Sequence, residues 1–457
     1  MKRYQSYKRF VSLSLHSIPD HWTFNKFKRV SYMKGRIGWQ GLKQSEFLEE
    51  PSLPYLITGM NFKDGNIRWE EVYHITEERY NEAPEIQLKQ GDVLMTKDGT
   101  IGKLLFIDKL PGKASLNSHL LVFRPLNNEY FSRYLFYQLQ TDYFLEHIEL
   151  TKTGTTFFGI SQEACGRFNI ILPPFEEQTI IANYLDQKTT QIDDLIAKKE
   201  RLIQLLEEER TTIINQAVTK GLPAEERLKA GLDPTVPMKD SGIEWLGEIP
   251  AHWDTAKLKL FVDKITDGSH HSPPTEEQGK RYLSVKDIGN NEIKFDGCKL
   301  ISENEFEILV RNGCQPIKGD ILLTKDGTIG RAAIVSDDHD FVVLSSLGII
   351  RPNHDKFDSN FLREWLVSDL NVNQMLSLIQ GSALTRITIT IIKNLFVLVP
   401  PIEEQRSIME WLKTKVESIN DICQRVESEI DLLKEYKTAL ISEVVTGKVD
   451  VRNEKLN

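Results

Sequence analysis

Residues 173–219 of this chain are written a second time at residues 400–446, and that repeat limits what the chain can fold into more than any other feature. Pro173-Pro174-Phe175-Glu176-Glu177-Gln178 stands over Pro400-Pro401-Ile402-Glu403-Glu404-Gln405. The offset, 400 − 173 = 227, holds without a gap down to Val218-Thr219 over Val445-Thr446. Within it Leu185 falls on Leu412, Ile192 on Ile419, Leu206 on Leu433 and Ile213 on Leu440. These positions recur every seven residues, with Val426 completing the second series where Lys199 interrupts the first. An apolar residue at every seventh position marks a helix that packs lengthwise on another helix. Pro-Pro followed by two glutamates suits a first turn, where proline gives up no needed N–H and carboxylates face the positive end of the helix dipole. Gly221 and Gly447 stand where a left-handed cap would close each helix. The interval predicts ~40 helical residues, or ~60 Å at ~1.5 Å each. A lone helix of that kind leaves its stripe exposed, so the two copies are expected to pack on each other.

The repeat reaches beyond the helices. Ile18-Pro19-Asp20-His21-Trp22 returns as Ile249-Pro250-Ala251-His252-Trp253, and Thr96-Lys97-Asp98-Gly99-Thr100-Ile101-Gly102 returns as Thr324-Lys325-Asp326-Gly327-Thr328-Ile329-Gly330. Each of the latter follows an alternating run and turns at Asp-Gly, which predicts a hairpin. Helices are expected after each hairpin, over residues 131–150 and 361–378. Aromatic and β-branched residues broken by Gly and Pro predict mixed strand and short helix in the rest of both segments. Each segment closes on a glycine-led polar stretch, residues 154–161 and 381–388, and an apolar strand then runs into Pro-Pro. Pro223, Gly231, Pro234, Pro237 and Gly242 make residues 222–247 read as an extended connector. The expected fold is therefore α+β: two tandem mixed α/β globules, residues 1–172 and 248–399, and two long helices, residues 173–221 and 400–449. A tail covers residues 450–457, and the whole is a pseudo-twofold internal repeat that imitates a homodimer.

Composition excludes several classes. No apolar run approaches the ~20 residues that span a bilayer, and the basic start Met1-Lys2-Arg3 is followed by no apolar leader core, so a cytoplasmic protein without membrane contact is expected. The four cysteines have no C-x-x-C spacing and read as free thiols in a reducing compartment. A formal charge of −9 argues against simple basic binding of nucleic acid while leaving local basic loops possible. Leu172-Pro173-Pro174-Phe175 lacks the Asn or Asp that amino-methylating enzymes place before Pro-Pro-aromatic. Gly99-Thr100-Ile101-Gly102-Lys103 is too short for a phosphate loop and continues in Leu104. His270-His271 has no second cluster of ligands, so no metal is expected, and no nucleophile–base set stands out. A duplicated module without catalytic groups fits a bipartite duplex target, since dimeric readers place two modules a fixed distance apart.

At this point the residues resemble the specificity subunit of type I restriction–modification systems. The resemblance rests on residues 238–253 (Met-Lys-Asp-Ser-Gly-Ile-Glu-Trp-Leu-Gly-Glu-Ile-Pro-Ala-His-Trp), on Leu172-Pro173-Pro174-Phe175-Glu176-Glu177-Gln178 with its copy, and on the two Thr-Lys-Asp-Gly-Thr-Ile-Gly elements. It covers essentially the whole chain. Residues 7–16 depart from it by lacking the Ser-Gly-x-Glu-Trp-x-Gly phrase found before Ile249. The resemblance implies two target recognition domains, each reading one half of a split DNA sequence, and an antiparallel coiled coil that holds them apart. It also implies chain ends that lie near each other, and no catalysis by this chain. It implies double-stranded DNA, two modification (methyltransferase) subunits and restriction subunits as partners, which would carry S-adenosylmethionine, ATP and Mg. Two other readings are a coiled-coil adaptor with no DNA role and the target-recognition part of a fused restriction–methylation enzyme. The fused enzyme would need a methyltransferase domain for which the chain has no room.

If the halves read different half-sites, divergent polar stretches should carry the base contacts and shared segments should be scaffold. The candidates are Lys34, Arg36, Trp39, Gln40 and Lys43 in the first half, and Ser269, His270, His271, Lys280 and Arg281 in the second. Thr155 and Thr156, and Thr385 and Arg386, extend the list from the glycine-led stretches. Arg and Lys match guanine edges and Gln matches adenine, while any of them can equally bond phosphate.

Overall fold

The repeated stretches form the two long helices, Phe175–Lys220 and Ile402–Val445. They are slightly longer than the sequence predicts. The glycines that follow them take the left-handed conformation, φ 79° at Gly221 and 77° at Gly447. The computed structural model describes residues 2–454 apart from 37–40, 63–66, 155–157, 290, 337–339 and 380–385. It divides into two compact units, Met1–Glu200 with Glu427–Asn457, and Arg201–Val426. Each unit thus holds one globule and half of each long helix.

In both units the helix segments run antiparallel. In the first, Lys437 Nζ lies 2.7 Å from both carboxylate oxygens of Asp193, and Lys199 pairs with Glu429. The residue that interrupts the first apolar series is therefore held by an acid on the facing helix. In the second unit, Arg210 Nη1 donates to Asn420 Oδ1 at 3.2 Å. The stripe residues face inward: Leu185, Ile192, Leu412, Ile419, Val426 and Leu440 are buried, and Leu206, Ile213 and Leu433 are half-buried. Leu185, Ile192 and Leu440 share one core with Trp22, Phe27 and Tyr134, and Leu412 shares another with Trp253 and Trp365. Because the helix ends belong to these cores, the compact units cut the helices midway instead of parting helix from globule.

Each globule carries the same four-stranded and three-stranded sheets, beside a two-stranded one. The first has an antiparallel sheet in the order Ser31–Lys34, Leu120–Pro125, Val93–Thr96, Leu104–Phe106, and a small one in the order Tyr73–His74, Tyr55–Ile57, Ala114–Leu116. The second has Val262–Asp267, Leu347–Pro352, Ile321–Thr324, Ala332–Ile334, and Lys299–Ile301, Lys280–Leu283, Phe341–Val343. The two expected hairpins are present, Val93–Thr96 with Leu104–Phe106 and Ile321–Thr324 with Ala332–Ile334. A bidentate arginine pins the start of each: Arg124 on Asp92 and Arg351 on Asp320. The helix expected after each hairpin is broken in two, at Thr141 and at Ser368. Ser368 accepts from the N–H of Asn371 and so caps the second piece, which a continuous helix would not allow.

The connector is not simply extended. It contains the helix Ala224–Lys229 and the strand Met238–Asp240, which pairs with Glu248–Pro250. In the first unit the same part is played by both chain ends: Tyr7–Arg9 pairs with Ser17–Pro19, and Lys2 bridges to Asp450. The segment lacking the shared phrase therefore builds the same hairpin from other residues.

The second glutamate of each Pro-Pro-x-Glu-Glu-Gln locks globule to helix. Glu177 accepts from Tyr4 Oη at 2.5 Å and Trp22 Nε1 at 3.2 Å, with His21 Nε2 at 2.9 Å. Glu404 accepts from Arg227 Nη1 at 2.5 Å and Trp253 Nε1 at 3.1 Å, with His252 Nε2 at 2.6 Å. The helix-dipole reading therefore fits the exposed Glu176 and Glu403, whereas Glu177 and Glu404 are buried anchors. Among the described residues, no helix is long and apolar enough to cross a membrane.

Candidate nucleic-acid interface

Strand direction gathers the variable loops at one place. In the first four-stranded sheet neighbours alternate, so the ends of Ser31–Lys34 and Val93–Thr96 and the starts of Leu120–Pro125 and Leu104–Phe106 share one edge. Lys34, Gly35 and Arg36, the turn at residues 97–103, and His119 all stand there. The corresponding edge of the second sheet holds residues 267–271, the turn at residues 325–331, and Ser345-Ser346.

The turn is closed by the same hydrogen bonds in both copies. Thr96 Oγ1 donates to Thr100 O at 2.5 Å and accepts from Lys103 N at 3.0 Å, and Thr324 Oγ1 does the same with Thr328 O at 2.6 Å and Arg331 N at 3.0 Å. Gly99 and Gly327 sit at φ 71° and 68°, where a side chain would be strained. The glycine-led stretch crosses the turn in both units. Asp98 forms an antiparallel bridge with Gly159, as Asp326 does with Arg386. Ile160 N donates to Lys97 O at 2.8 Å, and Ile387 N to Lys325 O at 2.9 Å.

The candidates divide on this frame. His270 and Arg386 are exposed and both lie beside the second turn: Asp267 Oδ2 meets His270 Nε2 at 3.0 Å and Lys325 Nζ at 3.5 Å, and Arg386 bridges to Asp326. Burial lowers the pKa of Lys325 even though Asp326 and Asp267 favour its charge. His271 is exposed, 3.9 Å from Glu305, and Lys43 is exposed in the loop before residues 44–46. Lys34 is half-buried on its strand.

Two expectations change. Arg36 is buried; its Nε bonds Leu116 O at 2.8 Å and its Nη2 bonds Ser115 Oγ at 3.1 Å, and burial pushes its pKa down to about 10. It ties the two sheets together and is not presented to solvent. Ser269 is buried as well, its hydroxyl closing a turn on His271. Lys280 and Arg281 belong to the small sheet. Lys280 Nζ meets Asp340 at 3.2 Å and Glu303 at 3.5 Å, and Arg281 stacks on Phe295 at 4.8 Å. Trp39, Gln40, Thr155, Thr156 and Thr385 lie outside the described residues.

Three residues at these edges were not singled out from the sequence: Asp98 and His119, which meet at 3.1 Å, and Asp326, which meets Arg386 at 3.0 Å. The available signal was the Asp-Gly shared by both turns, set against His119, which aligns with Ser346. Among the described residues, no group of three or more His, Cys, Asp or Glu could hold a metal ion.

Comparison with known proteins agrees with this architecture. The family model described as "Type I restriction modification DNA specificity domain" matches residues 39–205 and again 250–432. The type I restriction enzyme MjaVIII specificity subunit of Methanocaldococcus jannaschii is 26% identical over 81% of this chain and 81% of its own. The EcoBI specificity subunit of Escherichia coli is 23% identical over 78% of this chain and 73% of its own. Among solved structures, the HsdS subunit from Thermoanaerobacter tengcongensis superposes with a TM-score of 0.55 at 16% identity, covering 94% of this chain and 98% of its own. A chain from a structural study of complex assembly in the type I R-M system reaches 0.62 at 18% identity, covering 94% and 99%.

Proposed function

This chain belongs to the type I restriction–modification DNA specificity family, and from that premise we propose that each of its globules reads one half of a split duplex sequence. The observation that carries the reading is an edge built twice from the same parts and dressed differently. The turn, the threonine lock and the crossing stretch are common to both copies. The side chains around them are not: His119 stands against Ser346, and Gly159 against Arg386. A common frame with unlike contacts is what two unlike half-sites require.

Methylation is left to two modification subunits carrying S-adenosylmethionine, and cleavage to restriction subunits using ATP and Mg. The long helices offer duplicate apolar faces for the modification subunits. Leu195, Leu432 and Tyr436 are exposed in the first unit, and Leu202, Leu205 and Ile422 in the second, with 195 and 422, and 205 and 432, related by the repeat. Two equivalent faces suit two identical subunits.

Affinity for DNA is supplied largely by those partners. The chain carries a net −9, and of its candidate cations Lys280 is tied to two acids while Arg36 is buried, so few phosphates can be neutralised. Titration of labelled duplex should give a Kd of about 10⁻⁴ to 10⁻⁶ M for the chain alone at physiological salt, without sequence preference. With both modification subunits it should tighten to about 10⁻⁸ M or better on a cognate site. Tight selective binding by the chain alone would contradict the borrowed affinity. Absence of DNA binding by the complex would favour an adaptor role instead.

A further inference from the structure

We propose that Asp98 and Asp326 are one positioning carboxylate in two copies, and that the side chain each holds, His119 in the first globule and Arg386 in the second, is a specificity-determining contact for its half-site. The proposal rests on the DNA-reading function above and names the residues that separate one half from the other.

The geometry is a swap around a fixed point. Both aspartates occupy the same place in the same locked turn, and each bridges through its backbone to the crossing stretch, at Gly159 or at Arg386. Those partners are repeat equivalents, since 159 + 227 = 386, and His119 corresponds in the same way to Ser346, since 119 + 227 = 346. In the second globule the cation comes from the crossing stretch: Arg386 Nε lies 3.0 Å from Asp326 Oδ1. In the first that position is glycine, and a Cβ there would meet Asp98 Oδ1 at 2.7 Å. The carboxylate thus lies where a side chain at 159 would begin, and its other oxygen meets His119 Nδ1 at 3.1 Å. Ser346, the counterpart of His119, is buried and accepts from the N–H of Val285 at 3.2 Å. The shared acid therefore receives its partner from a different segment in each half.

In both copies the acid is set inside and its partner outside. Side-chain exposure is 26% for Asp98 against 56% for His119, and 29% for Asp326 against 46% for Arg386. Ion pairs this open stabilise a fold little. They do aim donors. With Nε in ionic contact with Asp326 Oδ1, though not aligned as a hydrogen bond to it, Arg386 has its terminal amino groups left as a fork, which matches O6 and N7 of guanine. With Nδ1 engaged, His119 presents Nε2, a single site that can bond one acceptor or one donor according to its protonation. The two globules should thus differ in the base demanded at one position, and the second should be the stricter.

The test is the genome-wide pattern of methylated adenines made by the full chain with its modification subunits. Arg386→Ala and Asp326→Asn should each admit at least tenfold more of the wrong bases at one common position of one half-site, with the other half unchanged. His119→Ala and Asp98→Asn should do the same at one position of the other half. The exchange Gly159→Arg with His119→Ser should change the base preferred there. A structural role alone would lower methylation at all sites together and leave base tolerance as it was; that result, or relaxation in both halves from one variant, would overturn the proposal. A wild-type chain whose methylated sites are not bipartite would instead overturn the reading of function on which it rests.

Discussion

Proline at position 192 should abolish methylation of every site at once. Ile192 lies in the interior of Phe175–Lys220, is 7% exposed, and packs in the core that also contains Leu185 and Leu440. Proline there removes one helical hydrogen bond and collides with the preceding turn, at about 3 kcal/mol or more. Loss of the isoleucine side chain adds about 2 to 5 kcal/mol by comparison with other core truncations. Against a net stability of about 5 to 15 kcal/mol for a whole domain, the first unit should not survive. A bipartite site needs both halves read together, so selection should fail for both. Ile192→Val, costing about 0.5 to 1.5 kcal/mol, should keep the methylated sequence unchanged. Chemical denaturation and methylome sequencing of the two variants check this. A proline variant that still selected one half-site would contradict it.

Glu404→Ala should be the second most damaging single change. Glu404 is 4% exposed and holds Arg227, itself 5% exposed, together with Trp253 and His252. Removing the acid strands a buried guanidinium, at about 3 to 5 kcal/mol. Glu177→Ala should cost less, about 1 to 3 kcal/mol, because two of its partners are the neutral donors Tyr4 and Trp22. The arginine on that side, Arg452, stands 3.9 Å away and is 41% exposed. Acid should act through the same group. Burial raises the pKa of Glu404, but the bonds from His252, Arg227 and Trp253 outweigh it and leave the carboxyl below its ordinary range. A depressed folded value means that the contribution is complete above the unfolded value of about 4.3 and is lost as pH falls through the folded one. Between those limits the wild type should lose the advantage it holds over Glu404→Ala. Urea denaturation of both at neutral and acid pH measures this, and an advantage that stayed constant would contradict it.

Much of the architecture was legible because a repeat is visible without any knowledge of contacts. The seven-residue stripe, Gly221 and Gly447 as caps, and the Asp-Gly hairpins each follow from local chemistry. What escaped depends on residues far apart in the chain. The second glutamate of each Pro-Pro-x-Glu-Glu-Gln looks like its exposed neighbour until Trp22 or Trp253, more than 150 positions away, is brought to it. Ser368 breaks a helix through a cap that sits inside an otherwise helical pattern, and Thr141 marks the other break with its hydroxyl turned back to Gln138 O. In the candidate interface, polarity marked the loops but not the burial of Arg36 and Ser269. Regarding shared segments as scaffold hid Asp98 and Asp326, which are common to both halves and bear different partners.

Adding one heptad to each long helix, near Leu202 and near Glu429, tests most directly the claim that two globules read two half-sites across a fixed helical spacer. The additions fall near the limits of the compact units, 200/201 and 426/427, so each globule keeps its own core, and a full heptad preserves the apolar stripe. The helices lengthen by about 10 Å at 1.5 Å per residue. At about 3.4 Å per base pair this makes room for at most about three more bases. The methylome of this variant should show both half-sites unchanged and the gap between them wider by up to about three base pairs, or no methylation where the added turn carries one globule out of phase with the duplex. Unchanged half-sites with an unchanged gap would mean that the helices do not set the spacing, and the account would fail.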